Sequence, residues 1–334
     1  MMELLKDFKG KKVLVIGDFI LDHHLYGRTE RISREAPVLI LKHYSEKFFC
    51  GGAGNAALNL SALGASVTTA GIIGDDEFSR LLISLLRSRG LKTIGFIKEK
   101  NRQTTVKTRI YGGDLNTKPQ QVLRYDHSPA APPARKSHIK LFDTLNKIFH
   151  RFDAVLISDY NSGSFSSGTR KLITKLLKKS KITSVVDSRY NMLDFNYFTA
   201  ATPNETEVIP FDSSLEGNSS TRIWQMAINK MLLKTKSKMI IVTRGRQGMT
   251  LYERNHTPYS LDAIGDEDAI DVTGAGDTVS AVVTLGLASG WNAKKVVQIA
   301  NIAGGIAVSR LGAIPVSADD IIHRINQLKL GLED

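Results

Sequence analysis

Asp271-Val272-Thr273-Gly274-Ala275-Gly276-Asp277-Thr278, followed by the apolar run 279–287, is a glycine-rich turn that enters a helix with a carboxylate at its edge. Glycines lack a Cβ and let backbone N–H groups approach an anion closely, and the positive end of the following helix faces the same point. That combination suits phosphoryl transfer. Asp277 stands where a base could take a proton from an attacking hydroxyl, with the N–H groups of Gly274, Ala275 and Gly276 around the transferred group. A bare GAGD string reads equally well as a helix N-cap after a loop, so the rest of the chain must decide.

Outward from this turn the apolar runs alternate. Strands are expected over 12–16, 66–70, 154–158, 183–186 and 239–243, several of them too continuously apolar to have a wet face. Helical spacing appears over 54–63, 77–88, 137–149, 169–179, 221–233, 277–288 and 293–309. The βαβα rhythm predicts an α/β fold, a mostly parallel three-layer α/β/α sandwich. Residues 22–50 and 93–125 break that rhythm with β-like runs at 38–41, 104–111 and 121–125, as a small β-lid on a single 1–334 domain would. The proline-rich stretch 128–133 closes the second of them as a hinge or connector.

The chain has 334 residues, a formal charge of +12 and one cysteine, Cys50. A lone cysteine excludes an internal disulfide framework and a multi-cysteine zinc site, and it fits a reducing compartment. The N-terminus has neither a signal-peptide hydrophobic region nor a cleavage site, and no run reaches transmembrane length. The expected location is the cytoplasm, with no membrane partner. The basic residues are spread along the chain among acids, and the densest cluster, 170–181, has leucines and isoleucine at helical spacing, so its lysines read as a solvated helix face. No nucleic-acid motif or aromatic series accompanies them, and no nucleic-acid partner is expected.

Two common nucleotide signatures are missing. There is no GxxxxGK[ST], and the first strand runs into Gly17-Asp18-Phe19 instead of GxGxxG, which argues against P-loop and dinucleotide-binding folds. Four segments, in order, resemble the ribokinase or PfkB family of sugar kinases: Gly17-Asp18, Gly51-Gly52-Ala53-Gly54-Asn55, Thr202-Pro203-Asn204-Glu205-Thr206-Glu207, and the DVTGAGDT run with Asn301 downstream. The resemblance covers nearly the whole chain and implies a ribokinase-like fold, ATP with Mg²⁺, and a sugar or sugar phosphate as acceptor. Within the family, GDFILDHHLYGRTERISREAPVLIL at 17–41, Lys107 with Arg109, Arg124 with Asp126, and Ser158-Asp159-Tyr160 resemble the kinases that phosphorylate D-glycero-β-D-manno-heptose 7-phosphate on O1 in ADP-heptose and lipopolysaccharide precursor synthesis. Many such kinases are fused to a nucleotidyltransferase domain. None is expected here, so a separate adenylyltransferase would use the product.

The resemblance assigns Asp18, Asp22, Gly51, Gly52 and Asn55 to the sugar, and Lys107, Arg109 and Arg124 to its 7-phosphate. Arginine suits that anion because it binds bidentately. Physically, the alternative for Asp18 at a strand end is a turn or N-cap aspartate, with the accompanying Asp22 and GG-x-x-N turn favouring the sugar; the glycines could serve helix packing, and the lid cations could equally serve solubility or defence against strand pairing. Glu35 could contact substrate or order the lid. Asn204 and Glu207 lie one helical turn apart and are assigned to water around Mg²⁺, with helix capping as the alternative. Asn204, Thr243, Gly245, Gly248, Thr273 and Asn301 are assigned to the nucleotide, against a hairpin turn for the Thr243–Gly248 region and a backbone-bonded buried amide for Asn301. Two departures bear on the substrate: Ser162 stands where the heptose kinases usually carry a lysine, and Asp187-Ser188-Arg189 replaces a DPK-like segment. A homodimer through the lid is expected by family analogy.

Overall fold

The structure, a computed structural model, describes residues 4–114, 119–264 and 270–328. Residues 115–118 of the expected lid and the chain after 328 lie outside them. The strands are β1 (Lys12–Gly17), β2 (Phe19–Ile32), β3 (Leu39–Gly52), β4 (Ser66–Gly74), β5 (Lys92–Glu99), β6 (Val106–Gly113), β7 (Gln120–His127), β8 (Ala154–Asp159), β9 (Thr183–Ser188), β10 (Ala200–Ala201), β11 (Met239–Thr243), β12 (Met249–Glu253) and β13 (Tyr259–Leu261). The α-helices are α1 (Ala53–Ala62), α2 (Glu77–Ser88), α3 (Arg135–Ile148), α4 (Ser167–Ser180), α5 (Glu205–Val208), α6 (Thr221–Thr235), α7 (Ala275–Ala288), α8 (Ala293–Val308) and α9 (Ala318–Leu328).

Side chains alternate across a strand, so a strand covered on both faces must be apolar throughout. In β1, Val13 and Val15 join the core beneath α1, α2, α7, α8 and α9, while Leu14 and Ile16 join the core beneath α3, α4 and α6. The same division runs through β8, where Ala154 and Leu156 face one core and Val155 and Ile157 the other. This is the three-layer sandwich. Its sheet runs in the order β13-β12-β11-β10-β9-β8-β1-β4-β5. All the neighbours from β11 to β5 are parallel, and the antiparallel β12 and β13 finish one edge.

The lid is a second sheet in the order β3-β2-β6-β7. Two 14-residue strands, β2 and β3, leave the body together and pair from Phe19 with Gly52 out to Ile32 with Leu39. One boundary differs from the sequence expectation. The stretch 93–99 is not lid: β5 pairs parallel with β4 at the edge of the main sheet, and the lid's second part begins at Val106. An edge strand buries only one face, so β5 alternates like a lid strand and its pattern resembles theirs. The β12–β13 hairpin and α9 were also not anticipated.

Candidate active site

Ligands bind to open α/β sheets beyond the carboxyl ends of their parallel strands. Here those ends carry Tyr160 after β8, Asp187 and Arg189 at the end of β9, Thr202 and Asn204 after β10, and Thr243 closing β11. With Asp22, Lys107, Arg109 and Arg124 from the lid and Thr273, Gly274, Gly276 and Asp277 from the start of α7, they line one cleft of about 370 Å³.

Asp277 sits in the first turn of α7 and is 3 % exposed. Asn55 on α1 donates its Nδ2–H to Asp277 Oδ2 at 2.8 Å, and the Tyr160 hydroxyl is 2.9 Å from Oδ1. Burial pushes this carboxyl up to about 6, and the two hydrogen bonds and the Arg189 charge pull the other way. Both groups that hydrogen-bond it, an amide and a phenol, are neutral. Gly274, at φ +81°, caps the helix, and a Cβ there would stand 2.5 Å from Asn55 Nδ2, so only glycine lets the turn close over the amide. The N–H groups of a helix's first turn lack intrahelical acceptors. The Ala275 N–H makes only a long 3.4 Å contact, to the Val272 carbonyl, while Gly274 and Gly276 line the cleft.

The lid places its cations by strand register. Lys107 and Arg109 are two apart on β6 and so share a face; Lys107 opposes Asp126 and Arg109 opposes Arg124 on β7, while Asp22 pairs beside Lys107 on β2. Asp22 binds Arg109 at 2.5 Å and Asp126 binds Arg124 through both of its oxygens. A Cβ on Gly51 would lie 2.1 Å from Asp22 Oδ2, so this glycine makes room for the carboxylate. Among the described residues, Lys107 and Arg189 have no carboxylate within ion-pair distance. Both pack on the Tyr160 ring, 5.7 Å and 4.5 Å from its centroid. Burial, then the Arg189 charge, holds Lys107 below the usual ammonium range.

Asp187 and Glu207 are both pushed up, first by burial, and the Glu207 and Asp277 charges add to the rise of Asp187. Asn204 and Glu207 form a reciprocal capping box on α5: Asn204 Oδ1 accepts the Glu207 N–H at 2.9 Å and Glu207 Oε2 accepts the Asn204 N–H at 3.0 Å. The Thr202 hydroxyl, buried at the cleft wall, has no partner. Two mutually repelling carboxyls beside an orphan hydroxyl fit a hydrated divalent cation, and among the described residues no group of three ligating side chains would bind one directly.

Several sequence assignments land elsewhere. Asp18 does not line the cleft: its carboxylate accepts the backbone N–H groups of Tyr160, Ser162 and Ser164 at 2.8–3.0 Å and anchors that loop. Asn55 faces Asp277 instead of open cleft. Gly52, at φ +56°, lines the cleft at the lid's root. Gly245 and Gly248 shape the turn from β11 into β12 and lie outside the cleft lining, and Asn301 Nδ2 donates to the Asp262 carbonyl at 2.7 Å. Glu35 lies in the exposed lid tip, its N–H bonded to Ser33 Oγ. The sequence reading quotes Tyr160 and Thr202 within its family segments and Asp187 and Arg189 as a departure bearing on the substrate, but gives none of the four a place in the site. Applying the strand-end rule to every strand would have found all four.

The family model described as pfkB family carbohydrate kinase matches residues 10–320. The chain is 34 % identical over 319 residues to bifunctional protein HldE of Trichlorobacter lovleyi, covering 94 % of this chain and 63 % of that protein. It is 33 % identical over 323 residues to bifunctional protein HldE of Helicobacter pylori, covering 95 % and 67 %. The chain thus spans less than two thirds of the first of these relatives. Among solved structures, phosphofructokinase-2 of Escherichia coli in complex with substrates and products superposes with a TM-score of 0.74 at 19 % identity, covering 96 % of this chain and 100 % of that one. Ribokinase of Arabidopsis thaliana complexed with ribose and ATP gives 0.71 at 17 %, with coverage of 96 % and 100 %. At such identities the structures speak for the fold alone.

Proposed function

The chain belongs to the pfkB family of carbohydrate kinases, and from that premise we propose that it transfers the γ-phosphoryl group of ATP to O1 of D-glycero-β-D-manno-heptose 7-phosphate, giving the 1,7-bisphosphate. The observation that carries the chemistry is Asp277: a buried carboxyl at a glycine-turn helix start, raised to about 6 and held by neutral donors only. A general base works best with a pKa near the operating pH, where it is ionised yet still accepts a proton. The heptose assignment draws on the 17–41 pattern and on the relatives named HldE.

The sugar phosphate enters with its phosphate between Lys107 and Arg189 and the rest of the polyol against Asp22 and Gly51. Arg189 here supplies the charge that Ser162 does not. Asp277 takes the O1 proton as the oxygen attacks in line, and the first-turn N–H groups around Gly274 to Gly276 stabilise charge on the phosphoryl oxygens. Asp187, Asn204, Glu207 and the Thr202 hydroxyl would hold the waters of Mg²⁺, which neutralises phosphate charge when bound with ATP. Thr243 and Thr273 border the nucleotide, and the lid excludes water.

The lid's outer face exposes Val38, Leu39, Val122 and Leu123 around an apolar hollow of about 630 Å³. A homodimer through this face would cover it, since contiguous exposed apolar patches mark interaction sites. No helix among the described residues is long and apolar enough to cross a membrane; a cytoplasmic location is part of this proposal, since the reaction would draw on ATP.

The test is ADP release with Mg-ATP and the heptose 7-phosphate beside fructose 6-phosphate, fructose 1-phosphate and ribose, with the phosphorylated position read from the product. Selective turnover to the 1,7-bisphosphate is expected. Turnover with another acceptor alone would reassign the substrate, and silence across the panel would favour a sugar-phosphate sensor.

A further inference from the structure

Tyr160 has two ends with different surroundings. Its hydroxyl lies 2.9 Å from Asp277 Oδ1, and its ring carries the two cleft cations that lack carboxylate partners, Lys107 and Arg189. Its backbone is fixed independently of both, because the Tyr160 N–H donates to Asp18 Oδ2 at 3.0 Å and the preceding Asp159 is held by Arg170, Ser188 and Asn191. A side chain locked from behind in this way is preorganised for positioning.

We propose that Tyr160 is a positioning residue for the transfer reaction: its hydroxyl orients the Asp277 carboxylate towards the acceptor oxygen, while its ring holds Lys107 and Arg189 as the seat for the acceptor's phosphate. The inference rests on Asp277 being the base. Burial and the Asp277 charge keep the phenol well above its usual pKa, so the hydroxyl is a permanent donor and never competes for the proton. The groups that face Asp277 are Asn55 from α1, Tyr160 from the turn after β8, Arg189 and Asp187 from the end of β9, and Asp22 from β2. Of these, Tyr160 is the one whose ring packs against both Lys107 and Arg189.

Two variants separate the two ends. Tyr160→Phe keeps the ring and removes the donor; Tyr160→Leu removes both. With the phosphorylated acceptor, Tyr160→Phe is expected to lose about tenfold in kcat with little change in KM, the scale of one hydrogen bond to a charged group. The acid limb of its kcat/KM profile is expected to move up by about 0.5–1 pH unit, because a donor to the ionised carboxylate has gone. Tyr160→Leu is expected to raise KM for the phosphorylated acceptor as well. Titration of ¹³C-labelled aspartate carboxylates, with the Asp277 signal assigned through Asp277→Asn, reads the same upward shift without turnover. An unshifted Asp277 titration together with wild-type kcat in Tyr160→Phe would overturn the proposal. Full turnover in Asp277→Asn would instead sink the base assignment, and a silent acceptor panel would count only against the substrate, leaving the titration to decide on Tyr160.

Discussion

Asp159 and Asp277 are both buried aspartates at the cleft end of the sheet, and their surroundings differ in kind. Asp159 Oδ2 accepts from Arg170 Nε and Nη2 at 3.1 and 3.0 Å, from Ser188 Oγ and from Asn191 Nδ2, and Oδ1 accepts the Asn161 N–H. Its charge is neutralised and its lone pairs are used, so it ties the loops after β8 and β9 together. Asp277 receives two neutral donors and no guanidinium bond. A carboxylate saturated by a cation organises structure; one left short of a counter-charge in a dry site keeps its affinity for a proton.

The largest test of that contrast is Asp277→Asn, which should fold and lose about 10²–10⁴-fold in kcat, the usual range for a missing general base. Steady-state turnover and circular dichroism check it, and full activity would erase the distinction. Arg170→Met attacks the other side. It strands the Asp159 charge in the interior and should cost about 3–5 kcal/mol of stability, read by denaturant unfolding, because a buried pair broken on one side leaves an uncompensated ion. An unchanged midpoint would mean that Asp159 is not scaffold. Next in size, Arg189→Ala should raise KM for a phosphorylated acceptor by about 10- to 100-fold, the worth of a lost charge-assisted hydrogen bond, and leave an unphosphorylated sugar nearly unaffected. Equal effects on both acceptors would move the phosphate elsewhere.

The remaining test is a pH dependence of stability. Asp277 titrates near 6 when folded against 3.8 as its ordinary value. Between those values the folded state binds more proton than the unfolded one, so this group's contribution to stability falls as pH rises from about 4 to about 6 and is level above. Wild type should lose stability relative to Asp277→Asn across that window in thermal melts at stepped pH. The Arg310–Asp320 pair has the opposite sign: burial opposes, yet the Arg310 and Ser317 bonds hold Asp320 down to about 2, so its contribution is present above 3.8 and is lost as pH falls towards 2.

Continuously apolar runs made the inner strands legible, since a strand such as β8 is covered on both faces. The lid was harder to read. β2 and β3 are 14 residues each, yet only 38–41, at the outer end of the ribbon, stands out in the sequence, because the rest of both strands mixes charged and polar residues with apolar ones and shows no clean hydrophobic period. For the site, residue type and spacing mark the glycine turn and Asp277, and the family resemblance marks Asp22 and the lid cations. Asp18 was marked too and turned out to hold a loop, because a strand-end carboxylate binds whichever donors the neighbouring loop offers.

The sequence by itself determined the layered α/β architecture, the family and the place of the carboxylate proposed as base, because apolar period and a glycine-rich helix start are local properties of the chain. Tertiary structure alone decided which carboxylates are neutralised and which stay reactive. That depends on distance between segments far apart in sequence: Asn55 and Tyr160 converge on Asp277 from 222 and 117 residues away, and Arg170 reaches Asp159 from the next helix. Burial and counter-charge are properties of that convergence, and they set the chemistry of side chains that are identical in the sequence.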